Sequence, residues 1–527
     1  MRVFLFGVDG LTFRVLHPLM EHGLLPNFQR LQSEGVEGIL KSTTPPVTPP
    51  AWTSISTGLS PARHGVYDFW EYEQSEQGPH AKIMTHRRGG KAIWNILSDW
   101  GKRVIVANVP MTYPPEPVNG IMLSGYMAPN MSAHVTYPAS FQEVLLEAVP
   151  EYQIDLHPAV SCGQTGDLTS EVIHMTKQRI AMQRLLLKED WDFFFLAHMG
   201  ADRIQHMRWD ELMTFNTQEA EYYQLLDESL GMALAALAPD DLLMVVSDHG
   251  FQGARRKFYI QEYLYRHGWL RMKDESARQR AEMIGSIRAV IRALKLQKLA
   301  RRVFRQLRRK GIMEMEKEHH PARLPDLDWT RTRAWIPSSS GALAGYADIF
   351  FDATVSEEEI QQLHDDLCSL SDPDNGQLLV TEAHREDAYG RGSFAPQERH
   401  LIVQTGENTT LPTELGRRSL WETRGVNGRG VSSGVHHPEG VLYLYGAGVK
   451  HGASIAPTHV YDVVPTILAH LRVSLPDDLE GKVMADAFEQ LVSHSTTAQD
   501  SIVMQKLKSL TSYMAELGKT EVGVAEN

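Results

Sequence analysis

The sequence predicts an α/β fold: a mostly parallel central sheet flanked by helices, with a smaller α+β cap inserted into it. Three observations predict this. Short apolar runs recur along the chain, helix-like segments separate them, and the pattern changes abruptly after about residue 270. The runs are Val3 to Val8, Val104 to Val109, Asp192 to Ala197, Leu242 to Ser247 and Val441 to Leu444. They are too short for globular helices and lack a polar face, as expected of strands buried between two layers. Helical periodicity occupies residues 11–21, 26–34, 91–100, 167–188 and 216–238 between them.

A chain of 527 residues exceeds one simple core. The expected organisation is a discontinuous core over 1–270 and 425–485, a basic helical insertion over 271–330, and a small α+β cap over 331–424. A helix is expected near 355–369, and 486–527 reads as a peripheral tail. Hydrophobic residues at 42% and charged residues at 22% exclude disordered and fibrous classes. A net charge of −13 argues against general attraction to nucleic acid, and no specific nucleic-acid partner is expected. The two cysteines, Cys162 and Cys368, have neither disulfide-framework nor metal-site spacing. No stretch approaches the roughly 18–20 apolar residues of a membrane span. The N-terminal run also lacks the longer apolar region and cleavage site of a signal peptide, so a cytoplasmic location is expected.

Open parallel sheets collect ligands beyond the carboxyl ends of their strands. Asp9 follows the first run, and Asp248-His249-Gly250 follows Leu242 to Ser247. His198-Met-Gly-Ala-Asp202-Arg-Ile-Gln-His206 follows the third run. Asp202 and His206 are four apart, so one helical turn puts carboxylate and imidazole on one face. Thr48-Pro49 reads as a helix N-cap followed by proline at the first helical position, with Gly58 ending the helix. A hydroxyl there sits among unpaired backbone N–H groups that favour a phosphate. His436 lies in the turn-rich Gly434-Val-His436-His437-Pro-Glu-Gly440. Each segment alone has a plain structural reading: a cap, a surface hydrogen bond, a strand end, a turn.

Together they resemble the type I phosphodiesterase and nucleotide pyrophosphatase branch of the alkaline phosphatase superfamily. The matching pieces are Gly-Val-Asp9-Gly, the stretch from Thr48 through Thr57-Gly58-Leu-Ser-Pro-Ala-Arg-His64-Gly65-Val, Asp202-x-x-x-His206, Asp248-His249-Gly and Gly-x-His436. They span about residues 1–265 and 425–475. The resemblance implies an alkaline phosphatase-like fold and two divalent metal ions. Asp9, Thr48, Asp248 and His249 would surround one ion, and Asp202, His206 and His436 the other. Zinc is the usual ion of that family, and the same oxygen and nitrogen donors also suit manganese or iron. The family nucleophile stands ten residues before the glycine of its Thr-Gly pair, which selects Thr48 over Thr53 and Ser54.

The implied reaction is hydrolysis of a small phosphoester through a phosphothreonine on Thr48. Where the nucleotide pyrophosphatases follow their His-Gly pair with a phosphate-binding asparagine, Phe69 stands here. That departure puts nucleotide pyrophosphatase specificity in question. Asp68 would repel the extra charge of a monoester, so a diester is favoured. Asp68 and Phe69 are the candidate substrate-binding residues. Tyr67, Phe69 and Trp70 read first as core packing. Rival readings are a phosphomonoesterase, a phosphonate hydrolase or a phosphomutase of the same superfamily, and a non-catalytic binding protein on its scaffold. A sulfatase would need Cys or Ser in a Cys/Ser-x-Pro-x-Arg context, which is absent.

Residues 278–310 hold twelve Lys and Arg against one acidic residue, Glu282. Ile284, Ile287, Ile291, Leu294, Val303 and Leu307 recur there at near-helical spacing. The segment reads as a helix packed on the protein with a solvated basic face, or as a contact with an anionic surface.

Overall fold

The computed structural model describes residues 1–73, 80–83, 88–157, 160, 166–215, 217–276, 327–336, 345–385, 389–394, 400–423 and 433–489. The basic segment 278–310, Cys162 and the tail from residue 490 lie outside the described residues.

The chain opens with β1 (Val3–Val8), α1 (Phe13–Glu21), α2 (Pro26–Glu34), β2 (Val36–Lys41), α3 (Thr48–Thr57) and α4 (Pro61–His64). A hairpin of β3 (Trp70–Glu73) and β4 (His80–Ile83) follows, then α5 (Ile93–Asp99), β5 (Val104–Val109), β6 (Gly120–Ser124), β7 (Thr136–Tyr137) and α6 (Phe141–Ala148). Next come α7 (Leu168–Leu186), β8 (Phe193–His198), α8 (Gly200–Leu212), α9 (Gln218–Ala235), β9 (Leu242–Val246), β10 (Gly250–Phe258) and α10 (Ile260–Arg266). A second group holds β11 (Ala334–Trp335), β12 (Tyr346–Phe351), α11 (Glu357–Ser369), β13 (Val380–His384), β14 (His400–Thr405), β15 (Asn408–Thr410) and β16 (Trp421–Thr423). The chain then returns through β17 (Gly434–His437), β18 (Glu439–Gly446), β19 (Ala453–Ser454), β20 (Thr458–His459) and α12 (Val463–His470).

The large sheet has the order β19-β2-β18-β9-β1-β8-β5-β6-β7, with β20 also paired to β2. β9, β1, β8, β5 and β6 are mutually parallel, whereas β18 runs against both of its neighbours and β7 against β6. β1, β5, β8 and β9 are buried along their whole length, which explains why their sequences read as unbroken apolar runs. Alternate residues feed two cores. Phe4, Phe6, Phe194 and Leu196 join the layer of α1, α2 and α7 to α9; Val3, Leu5, Phe193 and Phe195 join the layer of α3, α5 and α12. Each fully buried side chain of this size contributes roughly 1.5–3 kcal/mol.

A separate core gathers around the four-stranded sheet β11-β12-β14-β13, with α10 and α11. No described helix is long and apolar enough to cross a membrane.

The alternation of layers was legible, but two details differ from expectation. The last strand, expected to extend a mostly parallel sheet, is β18, inserted antiparallel between β9 and β2. The helix of the Thr48 segment has Val47 as its N-cap, so Thr48 is the first helical residue rather than the cap. Pro49 is compatible with either register because both positions in the first turn lack an intrahelical N–H partner. Gly58 does end the helix, in the left-handed conformation with φ 70°.

His64, at the end of α4, is fully buried. The Val66 N–H donates to its Nδ1 at 3.1 Å, so its Nε2–H faces Ser54 Oγ at 3.0 Å. Burial holds this imidazole down to about 3, against an ordinary value near 6.5. Between those values the unfolded chain binds a proton that the folded chain refuses. The protein is therefore expected to keep its full His64-linked stability above pH 6.5 and to lose about 1.4 kcal/mol per pH unit below it. His64→Gln should lower stability at pH 7 yet shrink the further loss on going to pH 5, as read from urea midpoints. An unchanged pH slope in the variant would refute this linkage.

Candidate active site

Three adjacent strands, β9, β1 and β8, end at one edge of the sheet, and each delivers a carboxylate there. Asp248 directly follows Ser247 at the end of β9, Asp9 follows β1, and Asp202 stands in the first turn of α8 just beyond β8. All three are almost fully buried. Gly10, with φ 69°, turns the chain sharply enough for its N–H to donate to Asp248 Oδ1 at 3.1 Å. The Trp52 indole N–H donates to Asp9 Oδ2 at 2.8 Å. Its ring lies over Gly7, where an added Cβ would come within 2.5 Å of it.

The histidines arrive from two further elements. His206 lies one turn after Asp202 on α8, its Nε2 3.2 Å from Asp202 Oδ1. β10 and β17 pair antiparallel with Phe251 opposite His436. That register brings His436 over His249, with ring centroids 3.6 Å apart and planes at 18°. A side chain at Gly250 would place Cβ 1.9 Å from the Glu439 carbonyl, so only glycine permits this approach of strands.

The hydrogen bonds identify the tautomers. Nδ1 of His206, His249 and His436 faces the carbonyl oxygens of Gly434, Gly250 and Pro46 at 3.2, 3.1 and 2.8 Å. A carbonyl only accepts, so each Nδ1 carries a proton and each ring turns its Nε2 inward. His206 Nε2 and His436 Nε2 then face each other at 3.0 Å, and both are within 3.3 Å of Asp202 Oδ1. Asp9 Oδ1, Asp202 Oδ1, Asp248 Oδ2 and His249 Nε2 are buried with no hydrogen-bond partner. Unpaired lone pairs and carboxylate oxygens brought this close repel one another unless a cation joins them.

Donor atoms of Asp202, His206 and His436 lie within 4.8 Å of one another, as do those of Asp9, Asp202 and His249. Asp202 thus belongs to both groups rather than to one. Asp248 Oδ2 stands 3.3 Å from His249 Nε2, and Asp9 Oδ1 3.7 Å from it. These oxygen and imidazole donors fit divalent transition metals such as zinc.

Electrostatics reflect the crowding. Burial, then Asp202, pushes the Asp9 carboxyl well above the usual carboxylate range; burial, then Asp9, does the same to Asp248. Burial also acts to raise Asp202, but His206, His436 and Arg203 outweigh it and hold that carboxyl well below the ordinary value. Burial keeps His249 and His436 below the usual imidazole value, in the neutral form that ligates metals.

Thr48 is buried at the start of α3, between two anchors. Two residues before it, the Pro46 carbonyl holds His436; four residues after it, on the same helical face, Trp52 holds Asp9. Phe69 is half-buried, its ring edge-on to Tyr126 at 5.5 Å, and with Tyr67 it packs on Val47, Ala62, Tyr346 and Tyr389. Asp68 Oδ1 accepts the Phe69 N–H at 2.6 Å. Residue-type reasoning passed over Trp52, Arg203 and Tyr126. Arg203 reaches Asp155 at 2.8 Å and Asp202 at 3.5 Å while its guanidinium lies over Tyr126, 4.6 Å from the ring centroid. Its position beside Asp202 was the available signal for Arg203. For Trp52 the signal was a tryptophan one turn beyond Thr48 in a helix of otherwise small residues.

The profile of the type I phosphodiesterase/nucleotide pyrophosphatase family matches residues 3–341, past the end of the first motif-bearing stretch at about 265 but short of the second, 425–475, which holds His436. Among solved structures, phosphonoacetate hydrolase from Sinorhizobium meliloti 1021 is similar, in its complexes with phosphonoacetate and with phosphonoformate. Each superposes with a TM-score of 0.54 at 14% identity, over 88% of this chain and 94% of the other. A search among curated proteins finds no significant match.

Trp52→Phe keeps the packing over Gly7 but removes the donor to Asp9. Metal affinity is expected to fall by roughly 10–100-fold, measured by competition with a fluorescent chelator. Affinity equal to that of the unaltered protein would show that this hydrogen bond does not orient Asp9.

Proposed function

Because this chain belongs to the type I phosphodiesterase/nucleotide pyrophosphatase family, we propose that it hydrolyses a phosphoester, diesters in preference to monoesters, with Thr48 as nucleophile. The observation that carries this reading is the set of inward-facing, unpartnered donors on Asp9, Asp202, Asp248 and His249, with Thr48 tied to the same site on both sides.

Asp9, Asp248 and His249, with Thr48, would hold one divalent ion; Asp202, His206 and His436 would hold the other, with Asp202 close enough to touch both. When bound, the ions supply Lewis acidity: they ease deprotonation of a hydroxyl or water and neutralise charge on the phosphoryl oxygens.

The chain's own residues do the positioning. The Pro46–His436 and Trp52–Asp9 contacts bracket Thr48 in sequence and would keep its hydroxyl near both donor groups. As the first residue of α3 it sits beside unpaired backbone N–H groups, which favour the phosphoryl anion. Thr48 Oγ1 forms a bond to phosphorus as the first alcohol departs with a proton. Water then cleaves the Thr48–phosphate bond and restores the hydroxyl. Neutral His249 and His436 keep their Nε2 lone pairs directed inward throughout because their Nδ1 protons are committed to carbonyls.

Phosphonate hydrolysis is the second reading, favoured by the likeness to a phosphonoacetate hydrolase fold. Asp68 and Phe69 would contact the substrate on this reading, Phe69 packing against Tyr126 and the cluster that holds Val47, the neighbour of Thr48.

Thr48→Ala is expected to lower kcat toward bis(p-nitrophenyl) phosphate by at least about 10³-fold, while Thr48→Ser keeps measurable turnover. A strong chelator should abolish activity, and acid quench with mass spectrometry should find phosphate on Thr48. The same assay with p-nitrophenyl phosphate and phosphonoacetate ranks the substrate classes. Turnover undiminished in Thr48→Ala would remove the nucleophile assignment, and higher kcat/KM for phosphonoacetate than for the diester would replace the preferred substrate.

A further inference from the structure

On the helical face of the sheet opposite α3, α7 carries an arginine whose charge has no partner. Arg179 is 1% exposed. Its Nη2 donates to the Ile154 carbonyl at 2.5 Å, while Nε and Nη1 have no hydrogen-bond partner. No carboxylate pairs with it among the described residues. A guanidinium cannot shed its proton in a protein, and a buried unpaired charge is among the most costly features a fold can carry.

The surroundings are built to receive a negative ligand. Asn108 interrupts the pairing of β5 with β6 at a bulge, with φ 60°, a conformation asparagine tolerates better than most residues. It is fully buried. Its Oδ1 accepts the Tyr152 hydroxyl proton at 2.6 Å, which leaves Nδ2 as a donor without a partner. Tyr152 and Ile154 lie on one segment, pinned to α7 where the Gln153 N–H donates to Gln178 Oε1 at 3.1 Å. One turn along from Arg179, Gln183 accepts the Ser229 hydroxyl proton at 2.5 Å, so Ser229 Oγ accepts from His198 Nε2 at 3.0 Å. His198, kept neutral at about 3 by burial and then by Arg179, turns an unpartnered Nδ1 lone pair into the same interior.

Arg179 therefore stands between two fixed hydrogen-bond relays, with free donors on itself and on Asn108 and with His198 Nδ1 and the Tyr222 hydroxyl oxygen left as acceptors. Water alone would satisfy some of these atoms but would leave the charge uncompensated.

We infer that Arg179 Nε and Nη1, with Asn108 Nδ2, bind a small monovalent anion of the halide class inside the protein. The site is distinct from the proposed phosphoester site and does not depend on it. The ion offsets the Arg179 charge.

The test uses the full chain with chloride or bromide as probe. Crystals in bromide should show an anomalous peak within hydrogen-bond distance of Arg179 and Asn108. At constant ionic strength, replacing gluconate by chloride should raise Tm saturably, by about 1–2 °C at tenfold excess over Kd for a chain of this size. Arg179→Met should abolish that response. Ordered water in place of an anomalous peak overturns the inference. So does a halide response retained in Arg179→Met, or a peak unaccompanied by any change in Tm between 0 and about 150 mM halide, a range set by physiological ionic strength. If the variant does not fold, the bromide crystal and the wild-type titration decide between these outcomes.

Discussion

The edge of the central sheet is governed by one constraint: three carboxylates are buried side by side where β9, β1 and β8 end. Burial, then Asp202, pushes Asp9 toward protonation, and burial, then Asp9, pushes Asp248 the same way, while His206, His436 and Arg203 hold Asp202 ionised. A fold that had to relieve this by itself would pair each oxygen with a donor. Here only part of that relief exists. Trp52 covers Asp9 Oδ2 and the Gly10 amide covers Asp248 Oδ1, while the opposite oxygens stay bare and point at His249. The covered oxygens fix orientation and the bare ones define where a cation belongs, which is the division of labour expected around a metal.

Most of the topology serves to bring distant segments to that edge. The parallel strands deliver Asp9, Asp202, Asp248 and His249 directly. His436, almost two hundred residues beyond His249, arrives only because β17 pairs with β10 and glycine at 250 lets β18 approach. The insertion of antiparallel β18 beside β9 is thus connected to the site: the strand that completes the sheet is the continuation of the one carrying the last imidazole. Val47, next to Thr48, packs with Tyr346, Tyr389 and Ile402 of the second sheet region, so the nucleophile segment is braced from that side as well.

What the sequence made legible follows from burial. β1 and β5 were read to the residue because both faces are covered and all positions but Asn108 are apolar. β10 was not, since Gly-Phe-Gln-Gly-Ala-Arg-Arg-Lys-Phe has no such run and is a strand only because β15, β16 and β17 pair with it. β2 escaped for a related reason: Glu37 and Gly38 break the apolar stretch, and its place is set by pairing with β18. The candidate donors were legible because Asp, His and Thr at strand ends and helix starts carry a chemical signature. The signals of Trp52 and Arg203 were positional only, one turn beyond Thr48 and beside Asp202, and gain chemical meaning once distance puts them against Asp9 and Asp202. Nor did spacing reveal that Asp202 falls within reach of both donor groups, because that depends on the packing of α8 against β10 and β17.

Charge supplies the last step in the argument for a diester. On the proposed reading, two divalent ions with Asp9, Asp202 and Asp248 ionised and the histidines neutral leave one net positive charge at the site. Arg203 does not alter this, because Asp155 stands 2.8 Å from it. A phosphodiester brings a single negative charge and would make the assembly neutral in its low-dielectric setting, whereas a dianionic monoester would leave an excess negative charge. On that reading, the carboxylate cluster that would hold the metals would also set the charge of the substrate that suits them.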